Sequence, residues 1–232
     1  MSPDPVDGPG DVPPDVPDRI EHTVLGPRTT WDDVSEVLDA AIREGMRACV
    51  PPCHLPDAVD YALSLDVATV LAFPHGQATT ETKAAAARQA YEVGAAEIDL
   101  VANAGLLASG DEEAYETDLA ETIAAVPVPV KVIVEAPLLE EAELRRACER
   151  AIAADAAFLK TATGFADGGA TVEDVATMSD YGPVKASGGI GSWEEAGAMF
   201  RAGADRIGAS SGDVIVAEYR EAAGSRGSGA GQ

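Results

Sequence analysis

A chain of 232 residues with 46% hydrophobic content can bury one sizeable core, which suits one α/β barrel or one to two smaller domains. Its formal net charge of −24 disfavours nucleic-acid binding, because neutralising phosphates requires clustered Lys and Arg. No segment approaches ~18 uninterrupted apolar residues, so no membrane-spanning helix is expected. The acidic residues are spread among apolar ones. They read as a solvated shell suited to high-salt cytoplasm, where screening removes most self-repulsion. Cys49, Cys53 and Cys148 are an odd set without a repeated Cys-x-x-Cys pattern. Reduced thiols are expected, and Cys49, Cys53 and His54 lack the spacing of a zinc site.

Residues 1–18 are rich in Pro, Asp and Gly, with no basic-then-apolar leader pattern. They read as a disordered extension of a cytoplasmic protein. Eight strand candidates follow: Ile20–Leu25, Arg47–Val50, Thr69–Phe73, Glu97–Val101, Val130–Glu135, Ala157–Lys160, Pro183–Ala186 and Arg206–Ala209. Helical segments separate most of them. Trp31–Arg43 carries Val34, Val37, Leu38, Ala41 and Ile42 on one face. The Ala-rich run 84–87 reads as a helix packed tightly on the sheet. Pro137 precedes a helix over Glu140–Ala153. Thr171 with Asp174, and Ser192 with Glu195, read as caps, the latter opening a helix through Arg201.

One phrase recurs, a helix ending in a small residue and leading into a short strand, as at Glu44-Gly45, Val93-Gly94, Ala154-Asp155 and Ala202-Gly203. Its recurrence marks a repeated βα unit. Eight such units over residues 19–223 predict a single-domain (β/α)8 TIM barrel. An open doubly wound sheet is the competing architecture. Residues 224–232 read as a disordered Gly/Ser-rich tail.

Strand parity then says which side chains face the barrel axis. Ile98 and Leu100 point out, so Asp99 points in. The same rule sends Lys131, Ile133 and Glu135 inward, with Cys49, Lys160 and Lys185. Two of the four lysines, Lys160 and Lys185, end apolar segments one βα unit apart. They belong on adjacent strands, roughly 5 Å apart at the backbone. Repulsion and desolvation there favour a neutral amine, most usefully at Lys160, and a neutral amine attacks carbonyls. Asp99 and Glu135 can hold the remaining charge. The competing reading makes Lys185 part of a structural ion network.

Small and glycine-rich turns follow the last three strands: Thr163-Gly164-Phe165, Gly188-Gly189-Ile190 and Ser210-Ser211-Gly212. Loops at these positions of a barrel are suited to a phosphate, which backbone N–H groups and hydroxyls can hold. His22 and His75 read as structural, hydrogen-bonded residues, and His75, at a strand end, is placed to line the mouth of the site.

These residues resemble those of the deoxyribose-phosphate aldolase family, class I aldolases, from about Ile20 to Val216. The resemblance is carried by Phe158-Leu159-Lys160-Thr161-Ala162-Thr163-Gly164, Val184-Lys185-Ala186-Ser187-Gly188-Gly189-Ile190 and Arg206-Ile207-Gly208-Ala209-Ser210-Ser211. Phe73-Pro74-His75-Gly76, Glu97-Ile98-Asp99-Leu100-Val101 and Lys131-Val132-Ile133-Val134-Glu135 support it. It implies reversible cleavage of a phosphosugar, 2-deoxy-D-ribose 5-phosphate, to D-glyceraldehyde 3-phosphate and acetaldehyde. Lys160 would form the Schiff base and Lys185 would keep it nucleophilic. Asp99 would move protons with an ordered water. Gly164, Gly188, Gly189, Ser210 and Ser211 would hold the phosphate, and Glu21, Cys49, Lys131 and Glu135 would support the site. No metal or other cofactor is implied, and a homodimer or homotetramer is.

The sequence departs from the family pattern at several places. Glu21 replaces the usual Asp and is one methylene longer. Gly26 replaces a common Lys, and Ala136-Pro137 replaces Thr-Cys or Thr-Gly. The C-terminus lacks the tyrosine that some members direct to the site. Rate and substrate preference are the properties these changes affect. Two other functions compete: a phosphosugar isomerase in which Lys160 only pairs with an anion, and a non-catalytic barrel that binds a phosphorylated ligand.

Overall fold

A computed structural model describes residues 12–227. Eight parallel strands alternate with helices: β1 Ile20–Thr23, β2 Arg47–Val50, β3 Val67–Leu71, β4 Glu97–Val101, β5 Val130–Ile133, β6 Phe158–Lys160, β7 Val184–Ser187 and β8 Arg206–Ala209. Each pairs with the next, and β8 pairs with β1, closing the barrel. This closure decides against the open sheet. The helices are α1 Val16–Arg19, α2 Trp31–Glu44, α3 Leu55–Tyr61, α4 Thr80–Glu92, α5 Ala104–Ala108, α6 Glu112–Ile123, α7 Glu141–Ala153, α8 Val172–Ser179, α9 Trp193–Arg201 and α10 Gly212–Gly227. Among the described residues no helix is long and apolar enough to cross a membrane.

The helix starts follow local chemistry. Thr30 and Asp33 form a capping box ahead of α2, and Ser192 and Glu195 form one ahead of α9. The Thr171 hydroxyl accepts the Asp174 N–H at 3.0 Å ahead of α8. Each satisfies N–H groups that the first helical turn leaves without partners. The recurring helix-to-strand phrase has one geometric origin. Gly45, Gly94, Asp155 and Gly203 all take positive φ, of 73°, 101°, 72° and 107°. A left-handed residue there turns the chain back toward the barrel, and Asp is among the few non-glycine residues that tolerate it.

Three expectations need correction. The disordered extension expected over residues 1–18 does not hold to its end, where Val16–Arg19 are helical. Val16 is fully buried in α1, which packs on α10 and β1; the Asp18 carbonyl also accepts from Arg47 Nε at 2.9 Å, and Arg19 Nη1 donates to the Asp205 carbonyl at 3.2 Å. Residues 1–11 of that stretch lie outside the described residues. The C-terminal tail does not begin at 224, because α10 runs to Gly227 and each residue added to a formed helix gains a hydrogen bond. Residues 228–232 again lie outside. Finally, β3 and β5 end before Phe73 and Glu135, because Ala72 and Glu135 adopt φ of 55° and 58°.

The outward strand residues, among them Ala48, Val50, Ile98, Leu100, Val132, Leu159, Val184 and Ala186, form the main core with the helices. Between α4 and α6 that core encloses an ion pair. Lys83 Nζ donates to Asp118 Oδ2 at 2.6 Å, and Thr80 Oγ1 donates to Asp118 Oδ1 at 2.7 Å. Lys83 is 1% exposed. Asp118→Ala strands that ammonium among apolar neighbours and is expected to cost about 3–5 kcal/mol. Denaturant unfolding measures the loss, and Lys83→Met/Asp118→Leu should recover most of it.

Candidate active site

The barrel interior is divided. Cys49, Ala68 and Val70, from β2 and β3, form an apolar cluster with Leu25 and Phe73. The other side is charged: Glu21 on β1, Asp99 on β4, Lys131 on β5, Lys160 on β6 and Lys185 on β7. All five are no more than 2% exposed. Parity put the last four inward, the family resemblance alone pointed to Glu21, and register sets their neighbours. Asp99 lies beside Lys131, and Lys160 beside Lys185.

Asp99 is the hub. Its Oδ1 accepts from Lys131 Nζ at 2.9 Å. Its Oδ2 accepts from both Lys160 Nζ at 2.8 Å and Lys185 Nζ at 2.7 Å. Glu21 completes the set, with Oε1 hydrogen-bonded to Lys185 Nζ and Oε2 3.3 Å from Lys131 Nζ. The extra methylene of Glu21 is thus used to span two lysines. Glu97, at the start of β4, accepts from Lys131 at 2.6 Å but also from Arg206 at 2.6 Å.

Three interior amines therefore face two carboxylates of their own, Glu21 and Asp99, so one amine is surplus. Burial pushes Lys185 well below the ordinary lysine range, and the nearby Arg206 charge adds to this. Of the pair Lys160 and Lys185, it is Lys185 whose surroundings favour the neutral form. Burial alone would raise the Asp99 carboxyl, but Lys131 and Lys160 outweigh it and hold the group below its usual range. Burial would likewise lower Lys131, yet Asp99 and Glu97 outweigh it and the ammonium is stabilised.

Lys160 alone of these groups also lines a cavity, of about 1270 Å³, at the C-terminal end of the strands. Gly164, Gly188, Gly189, Ser210 and Ser211 line the same cavity. Gly188 (φ 94°) packs so closely that a Cβ would lie 3.2 Å from Ala162 Cβ and 3.6 Å from Gly164 Cα. Gly189 (φ 76°) has nothing within 4 Å of the same position, which leaves its backbone open to a ligand. Ser210 and Ser211 lead into α10, whose first N–H groups carry the partial positive charge of a helix start.

Glu135 does not join the charged cluster. Its left-handed backbone breaks the alternation that would have aimed it inward. Its carboxylate instead accepts the Thr163 N–H at 3.1 Å and 3.3 Å, bracing the loop after Lys160. Cys49 is fully buried, and burial followed by the Asp99 charge pushes its thiol up to about 12. It packs against Ala68 and Val70. Glu21, Cys49 and Asp99 offer ligand atoms within 4.8 Å of one another, but the Lys131 ammonium already lies against both carboxylates and Lys185 Nζ donates to both, so the set does not suit a metal cation. Cys53 is exposed and apart from Cys49. His22 Nδ1 accepts the Gly212 N–H at 3.2 Å, a structural tie between β1 and α10. His75 lines a neighbouring cavity of about 430 Å³ with Glu135 and Phe165.

No protein-family model matches the chain. It is 58% identical over 206 residues to deoxyribose-phosphate aldolase of Haloarcula marismortui, covering 89% of each chain. It is 60% identical over 205 residues to deoxyribose-phosphate aldolase of Natronomonas pharaonis, covering 88% of this chain and 95% of that one. The chain belongs to the deoxyribose-phosphate aldolase family. Its barrel also superposes on the tetrameric deoxyribose phosphate aldolase of Aeropyrum pernix with a TM-score of 0.82, at 31% identity over 89% of this chain and 91% of that one.

Within this aldolase-family barrel, several residues matter that the sequence motifs did not single out. Thr161 Oγ1 donates to the Ser187 carbonyl at 2.8 Å and accepts the Ser187 N–H at 2.9 Å. Ser187 Oγ donates to the Ala162 carbonyl at 2.6 Å. These bonds tie the two lysine-bearing strands together just beyond Lys160 and Lys185. The signal was a small hydroxyl residue within two positions of each lysine. Glu97 was legible from parity, since it lies two residues before Asp99 on the same face. Gly208 carried no signal. A Cβ there would meet Lys185 Cε at 2.7 Å, so the missing side chain gives the lysine its room. Gly208→Ala should displace the Lys185 amine from Asp99 and lower kcat by about 10–100-fold, measured by steady-state kinetics on protein whose fold circular dichroism verifies.

Proposed function

We propose that this chain catalyses the reversible cleavage of 2-deoxy-D-ribose 5-phosphate to D-glyceraldehyde 3-phosphate and acetaldehyde, through a Schiff base at Lys160. The single observation that carries the reading is the shared Asp99 Oδ2, which accepts from two buried amines of which only Lys160 opens onto the cavity. An amine that must lose a proton before attack thus sits one carboxylate oxygen away from a second amine whose surroundings favour the neutral form.

The steps follow from that geometry. A proton passes from Lys160 through Asp99 to Lys185, and Lys160 Nζ adds to the aldehyde carbon. Loss of water gives an iminium. Removal of the 3-hydroxyl proton, by Asp99 through a water, lets the C2–C3 bond break. Its electron pair flows to the iminium nitrogen, giving an enamine and releasing D-glyceraldehyde 3-phosphate. The enamine then takes a proton at its terminal carbon. Hydrolysis of the resulting iminium frees acetaldehyde and the Lys160 amine. Exclusion of bulk water around Asp99, Lys131 and Lys185 strengthens each of these electrostatic contacts.

The substrate phosphate is assigned to Gly164, Gly188, Gly189, Ser210 and Ser211, where open backbone N–H groups, two hydroxyls and a helix start converge. Glu21 and Lys131 hold the hub, and Glu135 braces the loop that carries Gly164. A homodimer or homotetramer is the assembly this reading carries, supported by the tetrameric relative. The acidic shell is read as adaptation to a salt-rich cytoplasm. The test is turnover of 2-deoxy-D-ribose 5-phosphate by the purified chain in concentrated potassium chloride. Equal rates of acetaldehyde and D-glyceraldehyde 3-phosphate release are expected. No cleavage across salt concentrations would overturn the assignment.

A further inference from the structure

The charges of the barrel continue below the site, toward the strand N-termini. Glu97 Oε2 lies 2.6 Å from Lys131 Nζ and 2.6 Å from Arg206 Nη1, with Arg47 Nη1 3.8 Å from Oε1. The Arg206 guanidinium stacks over the Phe158 ring, 4.6 Å from its centroid. Lys131 thus stands between two layers, Glu97 beneath it and Asp99 Oδ1 above it at 2.9 Å.

We propose that Glu97, at the end of the barrel away from the cavity, is a positioning residue for the reaction, which through Lys131 fixes the Asp99 carboxylate so that Oδ2 alone serves the two reacting amines. A carboxylate turns readily about its last bond, because that torsion is broad and two-fold. What prevents the turn here is the Lys131 ammonium on Oδ1. That ammonium sits on a flexible four-carbon stem and needs fixing in turn. Of its three carboxylate partners, Asp99 and Glu21 are each shared with Lys185. Glu97 is the partner that touches neither reacting amine, so it can hold Lys131 still while protons move above. Its own position is set by Arg206, which the Phe158 ring holds in place. Burial would raise the Glu97 carboxyl, but Lys131 and Arg206 outweigh this and keep it ionised.

The inference rests on the Schiff-base reading of Lys160, and its test separates the two. Wild-type protein is first reduced with borohydride in the presence of substrate. Failure to label Lys160 would sink that reading, and this inference with it. With labelling established, steady-state kinetics are measured on Glu97→Gln, Lys131→Met and the double variant. Glu97→Gln should lower kcat about tenfold with KM held within about twofold, as expected for a misplaced catalytic group. In the Lys131→Met background the same change should have no further effect, because the path from Glu97 to Asp99 is already cut. Unchanged kcat in Glu97→Gln, or losses that multiply in the double variant, would overturn the proposal. If Glu97→Gln does not fold, Glu97→Asp keeps the charge but shortens the reach to Lys131, and takes the same test. About a threefold loss of kcat is then expected, vanishing without Lys131.

Discussion

Lys160→Ala should abolish turnover, by about 10⁴-fold or more, and leave the fold intact. The side chain lines a cavity, so its removal leaves no void in the packed core. Asp99 keeps its contacts to the Lys131 ammonium at 2.9 Å and to the Lys185 amine at 2.7 Å, so no buried carboxylate is stranded. Lys160→Arg is the sharper variant. It keeps the positive charge beside Asp99, and a guanidinium stays protonated at any working pH. If Lys160 merely paired with an anion, as in an isomerase, Arg would preserve much of the activity. As a Schiff-base residue it cannot be replaced, and Lys160→Arg should be as inactive as Lys160→Ala. Circular dichroism and thermal melting verify the fold in both.

Lys185→Met should lower kcat/KM by about 10²–10⁴-fold, the range for a lost proton-transfer group. The sign of its pH dependence follows from the lowered pKa of Lys185. In the wild type this amine is neutral above its folded pKa and takes up a proton as pH falls through it. The acid limb of the wild-type profile should therefore lie below the ordinary lysine range of about 10.4. In Lys185→Met the group that gives this acid limb is gone, so the limb should move from its wild-type position. A pH–rate profile of the variant parallel to the wild type would remove Lys185 from the proton path.

Much of the site was legible because parity in a strand is strict. Inward placement of Asp99, Lys131, Lys160 and Lys185 needed only their apolar neighbours, such as Ile98, Leu100, Leu159 and Val184, to be assigned to the helix layer. What failed did so at strand ends. Ala72 and Glu135 leave the extended conformation at φ 55° and 58°, and nothing in either side chain announces a left-handed backbone. Glu135 was therefore aimed at the wrong partner. The lowering at Lys185 was also hidden. It depends on depth below the cavity and on Arg206, a cation at the start of the next strand, and periodicity conveys neither. The Lys83–Asp118 pair joins helices 35 residues apart, so local patterning had no access to it. Glu97 differs from these, since the alternation that identified Asp99 applies to it equally.

Borohydride reduction during turnover, followed by peptide mapping, tests the covalent step most directly. Incubation with 2-deoxy-D-ribose 5-phosphate should inactivate the enzyme irreversibly and leave an N-ethyl group on the peptide Phe158-Leu159-Lys160-Thr161, with Lys83, Lys131 and Lys185 unmodified. Full activity after reduction of a turning-over sample, or an adduct on another lysine with Lys160 intact, would contradict the Schiff base at Lys160.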